Sequence, residues 1–305
     1  MYQFNALKHR VKYVRILRRV IRNKNRWYAQ LILEGIPDKQ IKTCDNNVGL
    51  DIGTSTVAIS SSSCASLKEL AKGVDKNERR IKRINRALDR SKRQTNPQNY
   101  NPDGTIRKNI KTFKKVWNYS KRYNHLKSIL KEEHRKAKVK RKLSHEKLAN
   151  EIIEHGSNIK VEDMNFKALS KRSKNTTKNK NGKINSKKRF GKTIGNRAPA
   201  MLLSIIDRKL HYINKQLIKI DTTKIKASQY NPLTGEYTKH SLKDRLIKLL
   251  DGVIVQRDML SAFIVEHVEG DEIINVLEDF DRFKRLQDEF ITYLKQTNKL
   301  IWYIS

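Results

Sequence analysis

Between Tyr13 and Gly35 two runs of β-branched and aromatic residues, separated by NKN, predict a β-hairpin with arginine on one face. The apolar run restarts at Val48, is interrupted by Gly53 and continues as TVAIS toward SSSCAS, which predicts the opening hairpin of a sheet. Then the period changes. Leu67, Leu70, Val74, Ile81, Ile84 and Leu88 fall near helical spacing while Lys and Arg fill the other faces, predicting a basic amphipathic helix with a break near Gly73. TNPQNYNPDGTIRKN, with two Asn-Pro pairs and an Asp-Gly, is a loop. Beyond it, Tyr123, Leu126, Ile129, Leu130, Ala137, Leu143, Leu148 and Ile152 predict one or two long helices from Trp117 to Ile153. Helix, loop and helix make a basic helical hairpin.

NIKVEDMNF returns to a short strand ending at Glu162 and Asp163. From Lys167 to Lys192 there are eleven Lys or Arg and no acid, a composition that stays mobile until it meets phosphate. Asn196 suits the N-cap of a helix running through Leu210, with Pro199 in its first turn. QLIKIDTTKIKAS is strand-like, YNPLTGEY is a turn, and DGVIVQRDMLSAFIVEHV passes from a β-like run into a helix beginning near Asp258. The acidic stretch Glu266 to Glu289 is helical, and no internal repeat is present. Strands alternating with helices place the chain in the α/β class.

Charge sharpens the picture. Over 305 residues, 67 Lys plus Arg against 31 Asp plus Glu give a net charge of +36, far beyond what solubility needs, and point to a polyanion, with nucleic acid ahead of a membrane surface. No apolar run approaches the ~20 residues of a bilayer span and the N-terminus lacks a signal-peptide core, so a cytoplasmic protein is expected. Cys44 and Cys64 are too few for a four-cysteine zinc site.

Asp51, inside an apolar strand, raises the question of chemistry, because a buried carboxylate needs a partner. Glu162 at the end of a later strand and Asp258 opening a late helix are candidates to converge with it, since strand ends and helix starts meet at one edge of an α/β sheet. Carboxylates meeting without basic partners repel unless divalent cations lie between them; Mg2+ takes such oxygen ligands, and two ions ~4 Å apart support phosphodiester cleavage. Plainer explanations stand beside this one: Asp258 favours the positive end of its helix, and Glu162 suits an exposed strand end. LDIGTST also resembles the first phosphate loop of actin-like sugar kinases and chaperone ATPases, but the second Asp-x-Gly loop and the Gly-rich adenosine loop of that class are missing.

In order along the chain, VGLDIGTSTVAI, NERRIKRINRALDRSKR, IKVEDMNFKAL, RFGKTIGNRAPAMLLSIIDRKL, IKASQYN and VQRDMLSAF resemble TnpB, the transposon-encoded OrfB family related to type V CRISPR effectors, from about Val14 to His267. The resemblance implies an RNA-guided DNA endonuclease with a RuvC-like ribonuclease H fold and a mixed sheet, split by a basic helical insert and preceded by a partial β-barrel, or wedge, segment. It implies catalysis and metal binding by Asp51, Glu162 and Asp258 with two Mg2+ ions and no zinc, and guide RNA and target DNA as partners. The Arg-rich helix matches the family's bridge helix. Nucleic-acid contacts are then expected from Arg79, Arg80, Arg83, Arg86, Arg90 and Arg93, and from Lys187, Lys188 and Arg189 in the basic loop. The implied segments are a wedge-like part at 1–46, RuvC part I at 47–66, the bridge helix and helical insert at 67–155, RuvC part II with the basic loop at 156–226, a degenerate zinc-ribbon-like insert at 227–252, and RuvC part III with an acidic tail at 253–305. Gln229 to Gln256 lacks the family's paired cysteines, and the segment before the first RuvC strand is shorter than the family's wedge and recognition domain. The rival expectation is therefore a catalytically inactive or truncated relative that binds nucleic acid without cutting it.

Overall fold

A computed structural model of the chain describes residues 6–35, 42–109, 114–182, 185, 190–241, 244–249 and 251–297; Lys187, Lys188 and Arg189 lie outside the described residues. The chain divides into two compact units, one of Met1–Ile36 with Lys72–Arg141, the other of Pro37–Ala71 with Lys142–Ser305.

In the first unit, β1 (Val11–Ile21) and β2 (Lys24–Leu33) pair antiparallel in a sheet of their own. The turn falls on Arg22 and Asn23, both at positive φ (50° and 60°), rather than on NKN, because this two-residue geometry matches the twist of the flanking strands. Helix α1 (Val74–Thr95) starts after a turn that closes on Gly73, at φ 79°. Its Val74, Ile84 and Leu88 are buried, while Arg79, Arg80, Arg83, Arg86, Arg90 and Arg93 are all exposed. Two buried asparagines then shape the loop. Asn96 accepts from the Asn118 amide at 2.7 Å and donates to the Asn118 carbonyl at 2.7 Å, and Asn99 donates to the Val116 carbonyl at 2.6 Å. Side-chain amides thus satisfy main chain that has no helix or sheet partner. Helix α2 (Lys121–His155) is continuous over 35 residues, and Leu143, placed on its apolar face by spacing, is exposed. Its residues up to Arg141 belong to this unit.

The second unit is built on a five-stranded mixed sheet, ordered β5-β4-β3-β6-β7, comprising β3 (Asn47–Ile52), β4 (Thr56–Ser61), β5 (Cys64–Glu69), β6 (Asn158–Glu162) and β7 (Ile218–Ile220). Strand β5 takes Leu67 away from the helix that its spacing suggested, because Ala58 pairs with Leu67 across an antiparallel ladder. Along β3 and β6 the period of two separates the faces. Val48, Leu50, Ile159 and Val161 enter one core together with Ile152 and Ile153 of α2. Between β6 and β7 lie α3 (Phe166–Leu169), α4 (Gly191–Arg197) and α5 (Pro199–Leu210), and Leu202 and Ile206 of α5 complete that core. Asn196 sits inside α4 rather than capping α5; Ala198, at φ 48°, separates the two helices, and Pro199 fits the first turn of α5 because its missing N–H costs no bond there. The long strand expected around Ile218 stops at Ile220, where Asp221 accepts from the Thr223 amide at 2.8 Å and turns the chain.

The other face is covered by α6 (Arg257–Glu266), which follows a short pair of strands, β8 (Leu246–Lys248) and β9 (Ile254–Gln256). After α6 come β10 (Val268–Glu269), β11 (Glu272–Ile273) and α7 (Val276–Gln296). Phe263 of α6 stacks on Phe283 of α7 at 4.7 Å. Among the described residues no helix is long and apolar enough to cross a membrane.

Gly49 fixes how closely α6 approaches. A Cβ there would lie 2.0 Å from the Ala262 carbonyl oxygen and 2.3 Å from the Glu266 amide nitrogen, both main-chain atoms that no rotamer can move. We expect Gly49→Ala to cost about 3 kcal/mol or more, the upper end for overpacking, and to lower the urea midpoint accordingly.

Candidate functional site

The face that meets α6 carries the candidate acids. Strands β3 and β6 run parallel with Leu50 opposite Val161, which sets Asp51 and Glu162 next to each other at the ends of adjacent strands, both pointing away from the aliphatic core. The third acid arrives on α6. Gln256 caps that helix by accepting from the Met259 amide at 2.7 Å and is itself fixed by the Gln287 side chain, which accepts from its amide at 2.9 Å. Asp258 therefore stands in the first turn. At the far end of α6, Ser60 donates to Glu266 Oε2 at 2.6 Å, Arg282 pairs with Glu266 Oε1 at 3.0 Å, and Lys160 Nζ donates to the Glu266 carbonyl at 2.9 Å. These bonds and the Gly49 contact hold the C-terminal half of α6 on the sheet.

The electrostatics bring the three acids together. Burial pushes the Asp51 carboxyl well above the usual aspartate range, and the charges of Glu162 and then Asp258 push it further, while Ser261 and Arg257 pull it back. Burial also raises Glu162. The expected lack of basic partners is corrected by the structure. Asp258 is held by Arg257 Nη2 at 3.1 Å on Oδ1 and by Arg245 Nη1 at 3.3 Å on Oδ2. Arg257 is in turn positioned by donating to the Ser241 carbonyl at 3.3 Å. Repulsion is thus relieved at Asp258 and concentrated at Asp51.

Oxygen-only donors of this kind suit a hard divalent cation. Ser261 Oγ is buried beside Asp51 and favours its ionised form. Among the described residues, however, no three His, Cys, Asp or Glu side chains are placed to hold one metal ion, and Asp258 is instead paired with its two arginines. The acids are of the chemical type a hard cation takes, but as arranged they do not form a metal site. A cleft of about 470 Å³ opens beside Glu162, with Asp163, Asp207, His211 and Lys219 among its lining.

Arginines 79, 83, 86 and 90 of α1 have no acidic partner among the described residues, whereas Arg80 reaches Glu133 at 3.5 Å and Arg93 lies 5.4 Å from the Tyr100 ring. Trp117, Tyr119 and Tyr123 pack within their unit: Tyr119 stacks on Tyr123 at 4.5 Å, and Lys92 sits 3.7 Å over Trp117. Arg245, Arg257 and Ser261 were missed by sequence reasoning, although the direct adjacency of Arg257 to Asp258 was a visible signal.

No protein-family model matches the chain, and no curated protein matches it at a significant level.

Proposed function

We propose that the chain is a divalent-metal-dependent nuclease of RuvC-like, ribonuclease H type, acting in the cytoplasm on DNA selected by a guide RNA in the manner of TnpB. The observation that supports this reading is the adjacency of Asp51 and Glu162 on parallel strands, with Asp258 near enough to raise the Asp51 carboxyl, all partly buried in a chain of charge +36. Bound ions would activate a water and stabilise the leaving oxygen. Asp51 and Glu162, side by side on parallel strands, and Asp258 from the start of α6 are the residues that would hold such ions. Arg245 and Arg257, which pair with Asp258, would also suit a substrate phosphate. The exposed arginines of α1 read backbone charge, while base pairing selects sequence.

Incubation of the purified protein with its copurifying RNA, matched DNA and Mg2+ should yield cleavage that a chelator stops. A second reading, a protein that binds nucleic acid without cutting it, is favoured by the arginine-paired state of Asp258. Binding with no metal-dependent cutting, and no difference between wild type and Asp51→Ala, would select it.

A further inference from the structure

Past the C-terminal end of α1 the loop borders a shallow, open hollow of about 410 Å³ lined by Arg93, Pro97, Tyr100, Asn101, Pro102, Gly104 and Arg107, with no acid in the lining. This size lies within the ~300 to 1,000 Å³ of small-ligand pockets. The loop is firmly built. The Asn101 carbonyl accepts from the Gly104 amide at 2.9 Å, the Asn101 amide donates to the Thr105 carbonyl at 2.8 Å, and Tyr100 bridges Ile106, so NPDG forms a tight hairpin turn. Gly104 takes a φ of 77° that side chains rarely adopt, and Arg93 Nη1 lies over it, 2.9 Å from where a Cβ would stand. Arg107 Nε donates to the Tyr100 carbonyl at 3.1 Å, which fixes a second guanidinium at the cavity. Tyr100 is supported by Trp117, edge to face at 5.9 Å. A flat aromatic surface thus stands with two cations on an ordered turn; Asp89 lies near Tyr100 but outside the cavity.

We propose that this cavity binds one unpaired nucleotide of a single strand, with its base on the Tyr100–Arg93 surface and its phosphate on the guanidinium groups of Arg93 and Arg107. Stacking on an aromatic ring accepts any base, and paired arginines suit phosphate. The inference rests on the nucleic-acid reading above and adds a defined seat for one nucleotide at the end of the arginine helix.

The test is fluorescence-polarisation binding of a short labelled RNA strand and its DNA counterpart at one fixed salt concentration, with AMP as competitor. It is joined by photocrosslinking of an iodouridine-substituted strand. Tyr100→Leu should weaken strand binding roughly tenfold and Tyr100→Phe should not, with the crosslink mapping to Tyr100. Arg93→Gln, on the helix surface, should weaken binding similarly and carries the test if Tyr100→Leu does not fold. Unchanged affinity in Tyr100→Leu and Arg93→Gln, with crosslinks elsewhere, would overturn this pocket and leave the nuclease reading intact. Saturable AMP binding that depends on Tyr100, with strand binding unaffected by the variants, would overturn the strand as occupant. Failure of the wild-type protein to bind any strand would overturn both.

Discussion

Asp51→Asn should abolish metal-dependent cleavage, by roughly 10³-fold or more, while making the ion-free protein more stable than wild type. The two effects have one cause. In the wild type a carboxyl pressed by burial and by Glu162 and Asp258 must either carry an unfavourable charge or keep a proton. Because its folded pKa is raised, the native state holds this proton after the unfolded chain has lost it. Stability then falls as pH rises past about 4, where an unfolded aspartate ionises, and the fall continues until the folded group ionises too. Asparagine removes that slope. Melting curves across this range, with chelator present, should show the variant gaining on wild type toward neutral pH, by about 1 to 3 kcal/mol, as for relief of a buried unsatisfied group. Added Mg2+ should stabilise wild type and not the variant. Equal slopes in both proteins would mean that Asp51 is not the strained group.

The second large effect belongs to α1. Replacing Arg79, Arg83, Arg86 and Arg90 together by Gln should reduce the steepness of log affinity against log salt by about 3 to 4 for duplex-like ligands, as expected for loss of four phosphate contacts. Affinity should drop by at least about 100-fold at moderate salt. Folding should survive, since these side chains are exposed and lack acidic partners among the described residues, whereas Val74, Ile84 and Leu88 hold the buried face. Binding isotherms at several salt concentrations measure both quantities, and circular dichroism checks the helix. Cleavage by this variant, if forced with high substrate, should retain its dependence on Asp51.

Much of this was legible along the chain, for physical reasons that particular residues show. Asp51 announced itself because a carboxylate inside VGLDI contradicts its setting, and Glu162 and Asp258 were found as the acids at the end of one predicted strand and the start of one helix. The parallel register that sets Asp51 beside Glu162 was not legible, since strands far apart in sequence carry no mark of their alignment. Gly49 did carry a signal, a glycine within a strand where another backbone comes close, but its partner on α6 could not be named. Leu67 misled because the spacing to Leu70 and Val74 suits a helix, while pairing with Ala58 draws it into β5. The arginines around Asp258 reversed the simplest electrostatic expectation: the chain supplies its own counter-charge to one acid and leaves the strain on another.

The bond from Ser60 to Glu266 joins residues 206 positions apart. Contacts of such long range form late, after the intervening polypeptide exists and has paid its loop entropy. During translation at ~5 to 20 residues per second, roughly 10 to 30 s separate the emergence of the arginine helix from that of Glu266. On the nuclease reading proposed above, a nascent chain would present its arginine helix to RNA well before its acids assemble, so the order of synthesis would place loading ahead of cutting.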